Sequence, residues 1–341
     1  MNILLTGIAG FIGYHFAKSL LKNNSFKILG IDNINDYYDT SLKLSRLHNL
    51  GILEYSEKKI INSNIYKNLS FVKLNLEDNY LEKIFETFKP DIVIHLAAQA
   101  GARYSLINPF AFINSNIYAF VNILECIKKQ KIKHLFFASS SSVYGTKTKI
   151  PFSEKSKAIY PTNLYAATKR SDELIAYSFH HIFKIPTTIL RFFTVYGPWG
   201  RPDMSIFIFT DSILKNKTIE LYNYGNIFRD FTYIDDVVLS FEKLLYHYLQ
   251  NQNTFFNETY FEIFNIGGGK PVKLTKVIKL LEKNLSKKAI ITYKELPLGD
   301  LKKTHANNYK LKKIIGHVPF TPIEVGIKNF VSWYKNYFNI T

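Results

Sequence analysis

The feature that most constrains this chain is a glycine turn between its first apolar stretch and a helical stretch. Residues 2–6 are predicted as a buried strand, and Thr6-Gly7-Ile8-Ala9-Gly10-Phe11-Ile12-Gly13 follows directly. The three glycines permit a tight turn, a close backbone approach to a diphosphate, and packing of the helix on the sheet. The N–H groups and dipole of the helix N-terminus favour phosphate there. A tight turn without a ligand would need the same glycines, so the turn alone leaves both interpretations open.

Asp32 favours a dinucleotide. It follows the second predicted strand, 27–31, and stands 19 residues after Gly13, where a carboxylate can accept hydrogen bonds from an adenosine ribose. A carboxylate there would repel the additional phosphate of NADP, so NAD is predicted. The alternative is a simple turn residue, because Asn33 and Asn35 follow.

Apolar strands and helical stretches alternate through the first half of the chain, which is typical of an α/β fold with a Rossmann-type doubly wound parallel sheet. The predicted strands are 2–6, 27–31, 70–74, 91–96, 134–139 and 187–192, and the predicted helices are 11–22, 80–88, 110–129 and 163–183, with a polar, helix-prone excursion over 33–67. Beyond Thr194 the alternation stops. We therefore predict an NAD-binding Rossmann domain over 1–192 and a smaller α/β lobe, mainly for substrate, over 193–341. The segment 230–265 is a candidate to return to the first domain.

Tyr165 and Lys169 lie four residues apart in predicted helix 163–183 and so share one face. Serines 139–142 come at the carboxyl end of a strand, where ligands bind in open α/β sheets. An adjacent ammonium and an oxidised nicotinamide both favour the phenolate, and lowering a tyrosine pKa by about 3 units takes roughly 4 kcal/mol. Tyr-x-x-x-Lys alone occurs by chance, but its order after the glycine turn and the serine-ended strand predicts proton abstraction from a substrate alcohol.

Charge and composition exclude several classes of protein. The net charge is +17, from 44 Lys+Arg against 27 Asp+Glu, but the lysines are spread out and form no basic cluster interleaved with aromatics, so no nucleic-acid partner is predicted. No stretch of about 18 uninterrupted apolar residues and no basic segment before the first strand occur, so neither a membrane partner nor a signal peptide is predicted. The single cysteine, Cys126, excludes an internal disulfide and indicates a cytoplasmic location.

The chain resembles the extended short-chain dehydrogenase/reductase family and, within it, the UDP-glucuronate 4-epimerases of the NAD-dependent epimerase/dehydratase group. The likeness covers nearly the whole chain and is carried by GIDNINDYYD (30–39), HLAAQAGARYS (95–105), LYAATK (164–169) and RFFTVYGPWGRPDM (191–204), of which the last is the most specific. The resemblance implies an isomerase that oxidises and re-reduces C4 of a UDP-sugar through a transient 4-keto sugar. NAD stays tightly bound and is regenerated in each turnover.

The motifs and the resemblance together assign the site. Tyr165, Lys169 and Ser140 are the expected catalytic residues, and no metal is predicted. The expected cofactor residues are Gly7, Gly10, Phe11, Ile12, Gly13, Asp32, Asn33, Asn75, Leu76, Leu96, Ala97, Ala98, Gln99, Tyr165, Lys169 and Phe192. The expected substrate residues are Arg103, Ser140, Ser141, Ser142, Thr194, Arg201, Arg229 and Asp300, although a surface ion-pair role is the alternative for Arg229 and Asp300.

Ser141 and Ser142 favour epimerisation of a uronic acid. The related dehydratases and UDP-glucuronate decarboxylases carry acidic residues after the equivalent of Ser140, whereas hydroxyls have no proton to exchange at neutral pH but can donate to a sugar carboxylate. A 4-keto uronic acid is a β-keto acid that loses CO2 readily, so Ser141, Ser142 and Thr194 are expected to hold the carboxylate. Arg103 and Arg201 are the expected charge partners. The alternatives are a UDP-glucose or UDP-N-acetylglucosamine 4-epimerase and, less favoured, the decarboxylase.

Three residues and two segments depart from the family pattern. Asn75, Asn163 and Asn307 stand where an aspartate, a serine and an aspartate are expected, and 58–67 and 251–261 look longer than is typical. The family is commonly dimeric through the helices after the fourth and fifth strands, so a homodimer is expected. Its predicted interface is the apolar surface of helix 110–129 at Ile113, Ile117, Phe120, Val121 and Leu124; the alternative is that all of it packs on the sheet.

Overall fold

The computed structural model describes residues 1–251, 260–297 and 299–340, and it divides into two compact units. The first unit comprises Met1–Val143, Asn163–Arg191 and Leu244–Phe264, and the second comprises Tyr144–Thr162, Phe192–Lys243 and Asn265–Thr341. The boundary predicted after residue 192 falls beside the division between Arg191 and Phe192. Residues 144–162, however, belong to the second unit, and the returning segment starts at 244 rather than near 230. Of the stretch 251–261, residues 252–259 lie outside the described residues.

The strands are β1 (Asn2–Thr6), β2 (Lys27–Asp32), β3 (Ile60–Asn62), β4 (Leu69–Lys73), β5 (Ile92–His95), β6 (His134–Ser140), β7 (Thr187–Phe192), β8 (Thr194–Tyr196), β9 (Thr218–Tyr222), β10 (Phe228–Arg229), β11 (Phe231–Tyr233), β12 (Phe261–Ile266), β13 (Val272–Lys273) and β14 (Ile290–Lys294). The α-helices are α1 (Phe11–Leu20), α2 (Ser41–Asn49), α3 (Tyr80–Phe88), α4 (Pro109–Phe112), α5 (Ala119–Gln130), α6 (Leu164–Phe183), α7 (Ser205–Leu214), α8 (Ile234–Gln250), α9 (Leu274–Leu285), α10 (Tyr309–Ile315) and α11 (Ile323–Tyr337).

An eight-stranded sheet of order β12-β7-β6-β5-β1-β2-β4-β3 dominates the first unit. β1 pairs in parallel with both β2 and β5, and among the pairings described within this sheet only the short edge strand β3 runs antiparallel to its neighbour. The predicted Rossmann-type parallel sheet is confirmed. β3 was missed, because its residues are exposed or half-buried and carry no apolar run.

Burial explains why these segments form strands. All residues of β5 are buried, and so are the last four of β1, as expected for parallel strands covered on both faces. Their alternate side chains pack with α3, α5 and α6 in one apolar core, for example Leu4 with Phe85 and Ile123. Burying each such side chain stabilises the fold by roughly 1.5–3 kcal/mol.

The strand order creates a crevice beside β1. The chain builds outward from β1 through β2 to β4 and then crosses to β5 on the other side of β1. In open parallel sheets ligands bind at such a switch point, outside the carboxyl ends of the strands. The loops after β1, β2 and β5 all emerge at this edge because the three strands are parallel.

The predicted helix 110–129 is divided into three parts. α4 begins after Asn108, whose side chain accepts from the Ala111 N–H, and is followed by a π-helix over Ile113–Tyr118 and then by α5. The run Pro109–Gln130 is long and apolar enough, by length and composition, to cross a membrane, and 44% of its most apolar 18-residue window is buried. Core helices of soluble proteins pass the same test, so this is weak support for a membrane span.

The second unit is built from short paired strands and helices. β8 pairs in parallel with β11 and β9 with β14, whereas β10 and β13 are antiparallel. The buried carboxylate of Asp230, between β10 and β11, accepts the N–H groups of Gly268, Gly269 and Ala306 at 2.7–3.1 Å. One side chain therefore joins segments that lie far apart in the chain.

Candidate active site

The glycine turn after β1 leaves room for a diphosphate. Gly7 adopts φ +75°, and a Cβ there would lie 2.8 Å from the backbone nitrogen of Ala97. A Cβ on Gly13 would lie 2.1 Å from the Gly7 carbonyl oxygen, so α1 packs directly against the turn. Among the described residues, no side chain caps the start of α1 at Gly10. Its first N–H groups therefore remain for an anion.

Asp32 is fixed at the end of β2. One carboxylate oxygen accepts the Ala9 N–H at 3.0 Å and the other accepts the Ile34 N–H at 2.8 Å. These bonds tie the acid to the glycine turn and leave lone pairs on both oxygens for ribose hydroxyls. The residues present therefore fit a dinucleotide with an unmodified ribose.

A cavity of about 650 Å³ continues from this point along the carboxyl edge of the sheet. Asn33, Asn75 and Gln99 line it, and the Asn33 side-chain amide donates to the Asn75 side-chain oxygen at 3.0 Å. Asn75, which replaces an expected aspartate, thus accepts a hydrogen bond as an aspartate would. Leu76, which follows Asn75 in the sequence, is buried. Leu96 to Gln99 form the loop after β5. Phe192, at the end of β7, is buried and is the first residue of this segment in the second unit.

The proposed catalytic residues all belong to the first unit. Ser140 ends β6, and Ser141 and Ser142 open a 3₁₀ turn in which Ser140 Oγ donates to Ser142 Oγ at 3.1 Å. Tyr165 and Lys169 lie one turn apart on α6, which begins with Asn163 as its N-cap. The Asn163 side-chain oxygen accepts the Ala166 N–H at 2.9 Å, the role that the expected serine would have had.

A buried ion pair joins α6 to β7, and a hydrogen bond from Ser139 joins the same carboxylate to β6 next to Ser140. Glu173 accepts two hydrogen bonds from Arg191, at 2.7 and 2.8 Å, and one from Ser139 Oγ at 2.5 Å. Burial opposes ionisation of Glu173, but the bonds from Arg191 and Ser139 outweigh it and lower the pKa of this carboxyl. The bidentate pair with Arg191 fixes the Tyr165 helix relative to β7, and the bond from Ser139 fixes it relative to the serine strand.

Lys169 is buried beside a second carboxyl. Its Nζ lies 3.5 Å from Asp172 Oδ2 and 4.7 Å from the centroid of the Phe137 ring. Burial lowers the pKa of Lys169, which Asp172 opposes, and burial raises the pKa of Asp172 to about 7. Burial and the charge of Lys169 also lower the pKa of His95, so that ring is neutral. The ammonium next to Tyr165 therefore depends on Asp172.

Sequence reasoning missed Asn116, whose side chain joins the loop after β5 to α6. It lies in the π-helix, accepts the Gln99 N–H at 2.8 Å, and donates to the Gln99 carbonyl and to Thr168 Oγ1 at 3.1 and 2.9 Å. Thr168 in turn donates to the Tyr165 carbonyl at 2.9 Å. The available signal was weak, because Asn116 is one of three asparagines in the predicted helix 110–129. Asp172 and Glu173 were likewise visible as an acidic pair on a mostly apolar helix.

The predicted substrate residues divide between the units. Arg103 is exposed in the first unit, at the start of a 3₁₀ turn, whereas Thr194, Arg201, Arg229 and Asp300 belong to the second. Arg229 donates to the Leu301 carbonyl at 2.7 Å, which places it next to Asp300. Arg201 makes a bidentate pair with Asp203 at 2.6 and 2.9 Å. Asn307 accepts the Tyr309 N–H at 2.9 Å, as the expected aspartate could.

A metal is not indicated by the described side chains: across 1–251, 260–297 and 299–340, no group of three or more His, Cys, Asp or Glu residues could hold one.

Comparison with known proteins identifies the family of the chain. A model of the NAD dependent epimerase/dehydratase family matches residues 3–267. Protein CapI of Staphylococcus aureus is 44% identical over 348 residues, covering 99% of each chain, and a probable UDP-glucuronate 4-epimerase of Rhizobium meliloti is 42% identical over 348 residues, covering 99% of this chain and 98% of the relative. The crystal structure of UDP-glucuronic acid 4-epimerase from Bacillus cereus, in complex with UDP-glucuronic acid and NAD, matches 99% of this chain and 100% of its own with a TM-score of 0.86 and 31% identity. The resemblance found in the sequence is confirmed, and the chain belongs to the NAD dependent epimerase/dehydratase family.

Proposed function

We propose that this chain interconverts UDP-glucuronate and UDP-galacturonate, with NAD bound throughout. The observation that carries the proposal is the edge after β6, where Ser140, Ser141 and Ser142 present hydroxyls and no acid. Elimination or decarboxylation chemistry needs a proton donor and acceptor there. The name of the Rhizobium meliloti relative and the ligand in the Bacillus cereus structure support the same sugar.

Tyr165 carries the proton step in this mechanism. NAD, when bound, supplies the acceptor for the C4 hydride and returns it. The Tyr165 oxygen takes the O4 proton and later gives it back, Ser140 holds O4 by a hydrogen bond, and the Lys169 ammonium stabilises the phenolate. Return of hydride to the opposite face requires the 4-keto sugar to turn about its diphosphate linkage. Arg229 and Asp300 are therefore assigned to the UDP portion, which stays in place.

The sugar carboxylate needs to be held away from alignment with the 4-keto group, since alignment leads to loss of CO2. Ser142 Oγ lies 3.1 Å from Ser140 Oγ, and with Ser140 engaged by O4 the Ser142 hydroxyl can donate its hydrogen to a carboxylate oxygen. We assign Ser141, Ser142 and Thr194 to this task, with Arg103 as a charge partner. Arg201 is the weaker assignment, because Asp203 already engages its guanidinium.

The test is incubation of the pure protein with UDP-glucuronate, without added NAD, and separation of UDP-galacturonate from UDP-xylose. We expect UDP-galacturonate alone, and a loss of about 10²–10⁴ in rate for Tyr165→Phe, which lacks the general base. Thr194→Ala should raise KM or release a measurable share of UDP-xylose. Faster turnover of UDP-glucose or UDP-N-acetylglucosamine than of UDP-glucuronate would instead favour a 4-epimerase for one of those sugars. UDP-xylose as the main product of the parent protein would favour the decarboxylase.

We also propose that the protein is a cytoplasmic homodimer. Partly or largely exposed apolar side chains lie before and on α4, in the π-helix and on α6, elements that contact one another: Leu106, Ile107, Phe110, Ile113, Tyr118, Leu174, Tyr177 and Ile182. Of the five residues predicted for the interface, Phe120 and Leu124 instead pack in the core, Ile117 and Val121 are half-buried, and Ile113 is exposed. A patch of this kind is typical of an interface between subunits, which offers a reason for the apolar run 109–130 other than a membrane.

A further inference from the structure

Two of the stretches that carry the family resemblance, 30–39 and 95–105, contain tyrosines that the mechanism does not use. Tyr37 lies in the loop after β2, and Tyr104 lies in the loop after β5. In the sheet β2 and β5 flank β1 on opposite sides, and all three are parallel. The two loops therefore rise on either side of the glycine turn, at the edge where the dinucleotide crosses.

The two loops meet across this crevice. The rings of Tyr37 and Tyr104 lie with centroids 4.8 Å apart and planes tilted by 49°. Gly101 adopts φ +107° between them, and a Cβ there would lie 2.2 Å from the Tyr37 hydroxyl oxygen. We call Tyr37, Tyr104 and Gly101 the clasp. Only a glycine allows so close an approach, in a backbone conformation that other residues rarely adopt.

Both sides of the clasp are anchored. On the β2 side, Lys43 donates to both the carbonyl and the side-chain oxygen of Asn35, each at 2.6 Å, although its own side chain is buried. On the β5 side, Ser105 Oγ donates to the Ala102 carbonyl at 2.7 Å, and the Tyr104 ring lies 6.1 Å from that of the buried Phe112. The rings are thus held by their loops and meet in a defined contact.

Tyr37 and Tyr104 line the same cavity as Asn75 and as Asn33, which follows the predicted ribose acceptor Asp32, so this cavity is expected to take the adenosine half of the cofactor. We propose that the clasp closes over this half of NAD and retains the cofactor between turnovers. Because NAD is regenerated in each cycle, turnover does not require it to dissociate. In this proposal its dissociation requires the two rings to separate. This inference rests on NAD binding and is independent of which sugar is epimerised.

The test measures the dissociation rate of NAD from the full-length protein, loaded with isotopically labelled NAD and chased with unlabelled NAD. Loss of one ring removes an aromatic contact, so Tyr37→Ala and Tyr104→Ala should each raise the rate about tenfold. Because both substitutions break the same contact, the double variant should also be about tenfold faster, not a hundredfold. Tyr37→Phe keeps the ring and should release NAD as the parent does.

Tyr55→Ala is the matched control, since Tyr55 is a half-buried tyrosine in the same unit whose ring contacts Phe71 outside the cavity. Its NAD release should equal that of the parent. Saturating NAD should restore turnover in both clasp variants, because Tyr165 and Lys169 are untouched. Parent-like release from Tyr37→Ala, or single effects that multiply in the double variant, would overturn the clasp while leaving the epimerase assignment intact. A parent protein that retains no NAD would overturn the premise for both.

Discussion

In the proposed mechanism, the buried carboxyl of Asp172 controls the charge of Lys169. The two side chains are almost completely buried, so bulk water does not solvate the ammonium in place of Asp172. Glu173 cannot take over, because Arg191 and Ser139 already engage both of its oxygens, and Arg170 also contacts it. His95 is neutral. Asp172 is therefore a positioning residue that keeps Lys169 charged beside Tyr165.

Asp172→Asn should move the alkaline limb of the pH profile of kcat/KM to lower pH. The carboxylate raises the pKa of Lys169 against the effect of burial, so its removal lowers that pKa, and the ammonium is lost at a lower pH than in the parent. Steady-state rates measured across pH 6–10 would show the shift. A tyrosine–lysine pair titrates in the range from about neutral pH upward. A purely structural role would lower the rate equally at every pH.

The control for this substitution is Asp211→Asn. Asp211 lies on α7, is partly exposed, and pairs with Lys215 four residues later. Its pH profile should coincide with that of the parent. If Asp172→Asn kept the parent's alkaline limb while retaining activity, Asp172 would have no part in holding the charge of Lys169.

Residues whose chemistry is restricted by type and order could be predicted from the sequence. Asp32, Tyr165 and Lys169 fall where expected because a ribose acceptor must end β2 and a phenol–ammonium pair must share a helix face. Asp172 and Asn116 could not be assigned in this way. Their roles depend on burial and on contacts across elements, which neither spacing nor composition expresses.

At the scale of elements, the π-helix Ile113–Tyr118 is the feature that the local sequence pattern did not predict. The apolar spacing of 110–129 predicts one regular helix, and the extra residue in its wide turn has no sequence mark. The wide turn carries Asn116, which bonds the loop after β5 at Gln99 and reaches α6 at Thr168. This element thus joins the cofactor loop to the catalytic helix.

Asn116→Ala should destabilise the fold and impair the site together. It leaves the buried N–H and carbonyl of Gln99 without partners, at a cost of about 1–3 kcal/mol for each group. We expect the free energy of unfolding to fall by about 2–6 kcal/mol, and both kcat and the NAD content of the purified protein to fall as well. Thermal or urea unfolding, steady-state kinetics and cofactor extraction would measure the three effects.

Asn68→Ala gives the comparison, since Asn68 also donates to a backbone carbonyl in the first unit, that of Phe26, but both residues precede strands and lie at the edge of the sheet opposite the carboxyl ends. It should cost stability and leave kcat and NAD content unchanged. Should Asn116→Ala behave in the same way, the link between the π-helix and the catalytic helix would be structural only.

At the scale of the whole molecule, long-range contacts set the limit of what the sequence could predict. The alternating strands and helices of the first unit follow from local periodicity, and their order follows from the rules for parallel sheets. The assignment of 144–162 to the second unit does not, because it depends on contacts such as the bridge between Phe152 and Ala306. The Asp230 carboxylate, bonded to Gly268 and Ala306, is a similar case.

The proposed dimer gives the last prediction. Leu174 on α6 and Leu53 in the loop after α2 are both 55% exposed, but only Leu174 lies in the apolar patch with Tyr177 and Phe110. In a two-fold symmetric dimer each interface residue occurs twice, so Leu174→Glu would bury two unpaired carboxylates and should dissociate the subunits. Light scattering should give twice 39.6 kDa for the parent and for Leu53→Glu, and 39.6 kDa for Leu174→Glu. A parent mass of 39.6 kDa, or a Leu174→Glu variant that stays dimeric, would mean that this patch is not the subunit interface.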